Sequence, residues 1–164
     1  MTATTLLLLA IAGSILSPIR VGPRGPVSPH RFFVRVEGAE SLQVTMAGEG
    51  EPVVLIPGLF GSAYAFRHLL EQLPAAGYQA VVIEPLGIGT SARPEKGDYS
   101  LTRQADRIAA VLRELHTGPA TVVAHSTGAS MALRLAYRQP ALVSAIVSLA
   151  GPCSMCRGSN GWAA

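Results

Sequence analysis

No aspartate, glutamate or histidine follows Ser126 anywhere in residues 127–164. A serine hydroxyl is a weak nucleophile at neutral pH and needs a base, and a group orienting that base, within hydrogen-bond reach. Other scarcities narrow the reading further. The two cysteines, Cys153 and Cys156, make a single CSMC pair. Structural zinc takes four ligands, and Gly, Ser and Asn surround this pair where a redox motif would lie between a strand and a helix, so it reads as incidental thiols. Aromatics make up only 5% of the chain and are not interleaved with a basic stripe, which excludes nucleic acid as an expected partner. Lysine occurs once, at Lys96. Of the arginines, Arg20, Arg24, Arg31 and Arg35 precede the first acid, Glu37, so the basic excess belongs to a tether at the start of the chain.

Apolar residues are abundant, with a mean hydropathy of +0.36. Part of this comes from an uncharged run, TLLLLAIAGSIL at 5–16, with no Lys or Arg before it. Residues 1–19 are therefore expected to be an export signal or a membrane anchor. Residues 20–30 hold Pro23, Pro26 and Pro29 and read as a stiff Pro-rich linker. The expected location is periplasmic, secreted or membrane-anchored rather than cytoplasmic, with membrane contact through the N-terminus.

From residue 31 the pattern is that of a folded domain extending to 152. RFFVRV (31–36) and SLQVTM (41–46) read as an antiparallel hairpin. VVLI (53–56), AVVI (80–83), TVVA (121–124) and VSAIVSL (143–149) are apolar runs of the kind buried on both sheet faces. Between them lie helical patterns. Phe66, Leu69, Leu70 and Leu73 share one stripe on a helix expected to end before Pro74; Ser100 caps a helix carrying Leu101, Ala105, Ile108, Ala109, Leu112 and Leu115; and 128–139 forms a third helix cut off by Pro140. Strands alternating with helices imply an α/β fold, a mostly parallel sheet with flanking helices. CSMCRGSNGWAA (153–164) shows no period and reads as an unstructured tail.

Ser126 stands where a buried strand runs directly into a helix, in AHSTG (124–128). Such a strained bend requires small residues two before and two after the serine, here Ala124 and Gly128. A second glycine-containing turn, PGLFGS (57–62), follows the strand at 53–56. It is either an ordinary strand-to-helix turn or an oxyanion loop, in which backbone N–H groups near Leu59 converge with that of Thr127. Together, PGLFGS, EPLGIGTSARP (84–94), YSLTRQADRIAAVL (99–112) and AHSTGAS (124–130) resemble, in order, the landmarks of the N-terminal half of the α/β-hydrolase superfamily. The resemblance spans about 31–152. It implies that Ser126 is the nucleophile and that the amides of Leu59 and Thr127 are the oxyanion donors. It also implies a small-molecule ester or other acyl substrate and no cofactor or metal. A serine in this position is unlike the epoxide-hydrolase and haloalkane-dehalogenase branches, whose nucleophile is a carboxylate.

Three departures stand out: Pro57 where many members have His, Glu84 where many have Asp, and Ala124 where most have Gly. Family members place their acid and histidine downstream of the nucleophile. Here His30, His68, His116 and His125 all precede Ser126 and are read as surface or packing residues, and Glu84 is read as a turn-stabilising acceptor. The chain is thus expected to be a truncated α/β-hydrolase core, esterase- or lipase-like by resemblance, with little or no activity of its own. The alternatives are a non-catalytic half-domain that pairs with another chain, self-association through an exposed sheet edge included, and a frameshifted product.

Overall fold

The computed structural model describes residues 27–151. The expected signal or anchor at 1–19, most of the linker, the CSMC pair and the tail lie outside them. Among the described residues no helix is long and apolar enough to cross a membrane.

The chain opens with β1 (His30–Glu37) and β2 (Glu40–Ala47), an antiparallel hairpin in which Val34 faces Leu42. Gly38 turns it with φ 50°, a conformation that costs glycine least. β3 (Glu51–Ile56), β4 (Tyr78–Glu84), β5 (Ala120–His125) and β6 (Val143–Leu149) follow. The sheet order is β1-β2-β4-β3-β5-β6. β2 pairs antiparallel with β4, and β4, β3, β5 and β6 run parallel. The mostly parallel α/β sheet with an N-terminal hairpin is therefore present, and β1 begins at His30, a residue expected in the linker.

Alternation along the central strands sorts their side chains onto two cores. Val54, Ile56, Val81 and Ile83 join Ile108, Leu112 and Leu135 on one face. Leu55 and Val82 join Phe66 and Leu70 on the other. Both faces are covered, which is why these segments are uninterrupted apolar runs rather than alternating ones.

Three helices provide the cover: α1 (Leu69–Ala75), α2 (Leu101–Glu114) and α3 (Thr127–Arg138). Ser100 caps α2 as expected, its Oγ accepting from the Arg103 N–H at 3.4 Å. The first helix differs from expectation at both ends. Phe66 belongs to a separate 3-10 turn, Ala63–Phe66, and Pro74 lies inside the last turn of α1 rather than beyond it. A proline lacks an N–H but keeps its carbonyl, and the Gly77 N–H donates to Pro74 O at 3.0 Å while Ala76 N–H reaches Gln72 O at 3.0 Å. The residues after Pro74 close the turn around it.

Candidate active site

Ser126 joins β5 to α3 with φ 52° and ψ −121°. A non-glycine residue in this region carries about 1–3 kcal/mol of strain and persists only where its surroundings hold it. Two hydrogen bonds do so: Ser126 N–H donates to Leu149 O at 2.8 Å, and Ala129 N–H donates to Ser126 O at 3.0 Å. The carbonyl of Leu149, at the end of β6, thus tethers the bend, a main-chain contact that no side-chain pattern signals. Gly128 has no room for a side chain, because a Cβ there would lie 2.6 Å from Ile56 O and 2.7 Å from Pro57 O. The first turn of α3 is seated directly on the end of β3. Ala124, paired with Ile56 across the ladder, fits its slot fully buried.

The loop after β3 meets this bend. Gly61 N–H turns back to Gly58 O at 2.9 Å, leaving Leu59 at the corner. A Cβ on Gly58 would lie 3.1 Å from Ser126 Cβ and 3.2 Å from His125 O. Gly58, which sequence reasoning did not single out within PGLFGS, therefore sets how closely the loop approaches the serine. Leu59 is 56% exposed and Phe60 fully exposed, so the corner opens to solvent. Thr127 is the first residue of α3, and an N–H in the first turn of a helix has no intrahelical acceptor.

Behind the loop sits Glu84, buried at the end of β4. Its Oε1 accepts from the Ala63 N–H at 2.7 Å and its Oε2 from the Thr90 N–H at 2.6 Å. Gly89, with φ 58°, must be glycine because a Cβ would lie 2.0 Å from that carboxylate. Thr90 Oγ1 also donates to Gln43, and Ser91 Oγ accepts from the Gln43 N–H at 2.8 Å and donates to Glu84 O at 2.6 Å. Gln104 of α2 closes a reciprocal pair with the Leu86 main chain at 3.0 and 2.8 Å. Glu84 thus stabilises two turns at once, the role expected of it, and both of its oxygens are occupied.

Among the described residues no side-chain hydrogen bond joins Ser126 to a base, although the His125 ring flanks the same loop, its Nδ1 3.2 Å from where a Cβ on Gly58 would lie. His30, His68, His116 and His125 are all exposed, and among the described residues none is ion-paired with an acid. The buried ionic contact lies elsewhere. Arg107 of α2, 3% exposed, donates Nε to Glu40 Oε2 at 2.6 Å and Nη2 to Oε1 at 2.7 Å, while its Nη1 holds Asp98 O at 2.6 Å. Hydrogen bonding from Arg107 holds the Glu40 carboxyl below its usual range, against a smaller opposing effect of desolvation.

The chain thus combines a mostly parallel sheet with a serine at a strained strand-to-helix bend, faced by a glycine loop from the neighbouring strand. Residues 51–160 match the α/β hydrolase fold family, and the chain belongs to that family. It is 31% identical over 123 residues to a 2-(acetamidomethylene)succinate hydrolase of Mesorhizobium japonicum, covering 74% of this chain and 44% of that protein. It is 27% identical over 111 residues to a haloalkane dehalogenase of Mycobacterium marinum, covering 67% and 37%. Among solved structures, an epoxide hydrolase from Vigna radiata superposes with a TM-score of 0.69 at 29% identity, over 73% of this chain and 39% of that one. The chain spans less than half the length of these relatives.

Proposed function

We infer that this chain carries the nucleophile and the oxyanion donors of a serine-dependent acyl hydrolase, and that the 164-residue chain alone turns over substrate little or not at all. In the reaction so assigned, Ser126 Oγ attacks the carbonyl carbon of an ester or related acyl compound. The negative oxygen that develops is held by the N–H groups of Leu59 and Thr127, which act in place of water as preorganised donors. The observation that carries this reading is the close approach of the loop at Gly58, where an added Cβ would lie 3.1 Å from the Ser126 Cβ, which supports placing the adjoining Leu59 corner beside the serine. A hydroxyl nucleophile supports acyl chemistry over the dehalogenation and epoxide opening named for two of the relatives.

The same packing supports the low activity. Among the described residues no hydrogen bond joins the Ser126 hydroxyl to a histidine or an acid, and Glu84, the buried acid behind the loop, is committed to Ala63 and Thr90. An oxyanion site and binding alone leave about 10³- to 10⁴-fold catalysis over water. The test is fluorophosphonate labelling followed by intact mass. Slow labelling that vanishes in Ser126→Ala is expected; labelling of the wild-type chain at the rate of a complete serine hydrolase would overturn the inactivity, and labelling that survives Ser126→Ala would overturn the nucleophile.

A further inference from the structure

One face of β1 carries positive charge that no acid among the described residues neutralises. Side chains alternate along a strand, and Phe32, Val34 and Val36 pack into the larger core beside α2, so Arg31, Phe33 and Arg35 share the opposite face. All three are exposed, Phe33 by 59%. The two acids of the hairpin are drawn away from this face, Glu37 to Arg103 and Glu40 to Arg107, both on α2. Among the described residues no ion pair or side-chain hydrogen bond holds Arg31 or Arg35. The 3-10 turn at Ala63–Phe66 enlarges the surface. Arg31, Thr45, Tyr64, Arg67 and Glu71 line one hollow of about 380 Å³ beside α1. The Arg67 guanidinium lies 4.4 Å from the centroid of the exposed Tyr64 ring and donates Nη1 to Tyr64 O at 3.3 Å. Glu71 shares the hollow but forms an ion pair with neither arginine. Three guanidinium groups and two exposed aromatic rings thus stand together with a single carboxylate. The strand pleat and a distant turn assemble this stripe, so it does not stand out along the chain.

We propose that this face of β1, with Tyr64 and Arg67, rests on the surface of an anionic lipid bilayer. Residues 1–26 and 152–164, outside the described structure, contain no Asp or Glu, so they offer no side chain to neutralise the arginines. A second copy of the same face would set arginine against arginine. Lipid phosphates supply the missing negative charge. The headgroup region takes aromatic rings and the apolar stems of arginine while leaving the guanidinium groups hydrated, which suits Phe33 and Tyr64 among Arg31, Arg35 and Arg67. The sequence favours lipid over nucleic acid as the source of phosphate. The uncharged run TLLLLAIAGSIL ends at Leu16, fourteen residues before β1 opens at His30, and that length of chain spans at most about 50 Å. A bilayer holding the run would keep β1 within reach of its surface, with Arg20 and Arg24 in between.

The test is co-sedimentation of the 164-residue chain with vesicles of phosphatidylcholine, alone or mixed equally with phosphatidylglycerol. Arg31→Ser, Arg35→Ser and Arg67→Ser are each expected to weaken binding to the anionic vesicles about fivefold, and all three together about a hundredfold, with little effect on the neutral ones. Arg113→Ser removes the same charge from α2, on the other side of the sheet, and is expected to leave binding within about twofold, since screening confines the attraction to nearby charges. All four side chains are exposed, so unchanged far-ultraviolet circular dichroism is expected. In a Trp162→Phe background, Phe33→Trp is expected to show a blue shift and quenching by brominated acyl chains on the anionic vesicles. Equal binding to both vesicle types, indifferent to the β1 arginines, overturns the proposal and leaves the apolar run as the attachment. So does an equal loss from Arg113→Ser, which would mean net charge alone, or Phe33→Trp emission that neither shifts nor is quenched. Release by inorganic phosphate at constant ionic strength would show a free-anion site instead, and tighter retention on single-stranded RNA through the same arginines a nucleic-acid surface; either overturns it. None of these outcomes depends on the reactivity of Ser126.

Discussion

Ser126 adopts its unusual backbone because its neighbours leave it no alternative, and single residues set those limits. Gly128→Ala places a methyl against Ile56 O and Pro57 O at 2.6 and 2.7 Å; main-chain atoms cannot swing aside as a flexible side chain does. The substitution is expected to destabilise the fold by about 1–3 kcal/mol, the range for overpacking, read as a lower urea midpoint, and an unchanged midpoint would refute the contact. Glu84→Gln keeps the shape but replaces one acceptor oxygen with a donor. Either the Ala63 or the Thr90 N–H then faces an amide NH₂, and a loss of about 1–3 kcal/mol is expected for a buried group left unpaired. Faster hydrogen exchange at one of these two amides would show it; equal protection of both would contradict it. The need for a small residue at 128 was legible from the AHSTG spacing. What it packs against was not, since Ile56 and Pro57 are distant in sequence.

At the level of elements, α2 was legible almost to its ends because two signals agree: the Ser100 cap and the apolar period. α1 was less so, because a proline in a last turn gives the same sequence signal as one beyond it. The ion pair tying α2 to the hairpin had no sequence signal, as Glu40 and Arg107 are far apart in the chain. Its pH dependence follows from the sign of the shift. The folded Glu40 carboxyl titrates below its unfolded value, so its contribution to stability is fully present above the ordinary carboxylate range and is lost as pH falls through the lowered folded value. The difference in melting temperature between wild type and Glu40→Gln is therefore expected to be largest near neutrality and to shrink in acid. A constant difference from neutrality to strong acid would exclude this origin.

Across the whole molecule, one sheet serves both cores: Leu55 faces one and Ile56 the other from the same strand. Leu55→Ala and Ile56→Ala are each expected to cost about 2–5 kcal/mol and to lower a single shared unfolding transition, with near- and far-ultraviolet signals coincident; two separate transitions would show that the faces fold independently. The sheet order itself was beyond a sequence reading, because β4 inserts between β2 and β3, and pairing between segments distant in the chain leaves no local trace. By itself the sequence determined the element types, the two-sided burial of the central strands and the serine at its bend, since these follow from periodicity, small residues and turn chemistry acting over a few neighbours. Only the tertiary structure decided that Leu149 O anchors that serine, that Gly58 brings the Leu59 corner to it, and that Glu84 spends both oxygens on turns. Those contacts run through main-chain atoms or across distant segments, and close packing rather than local pattern chooses them.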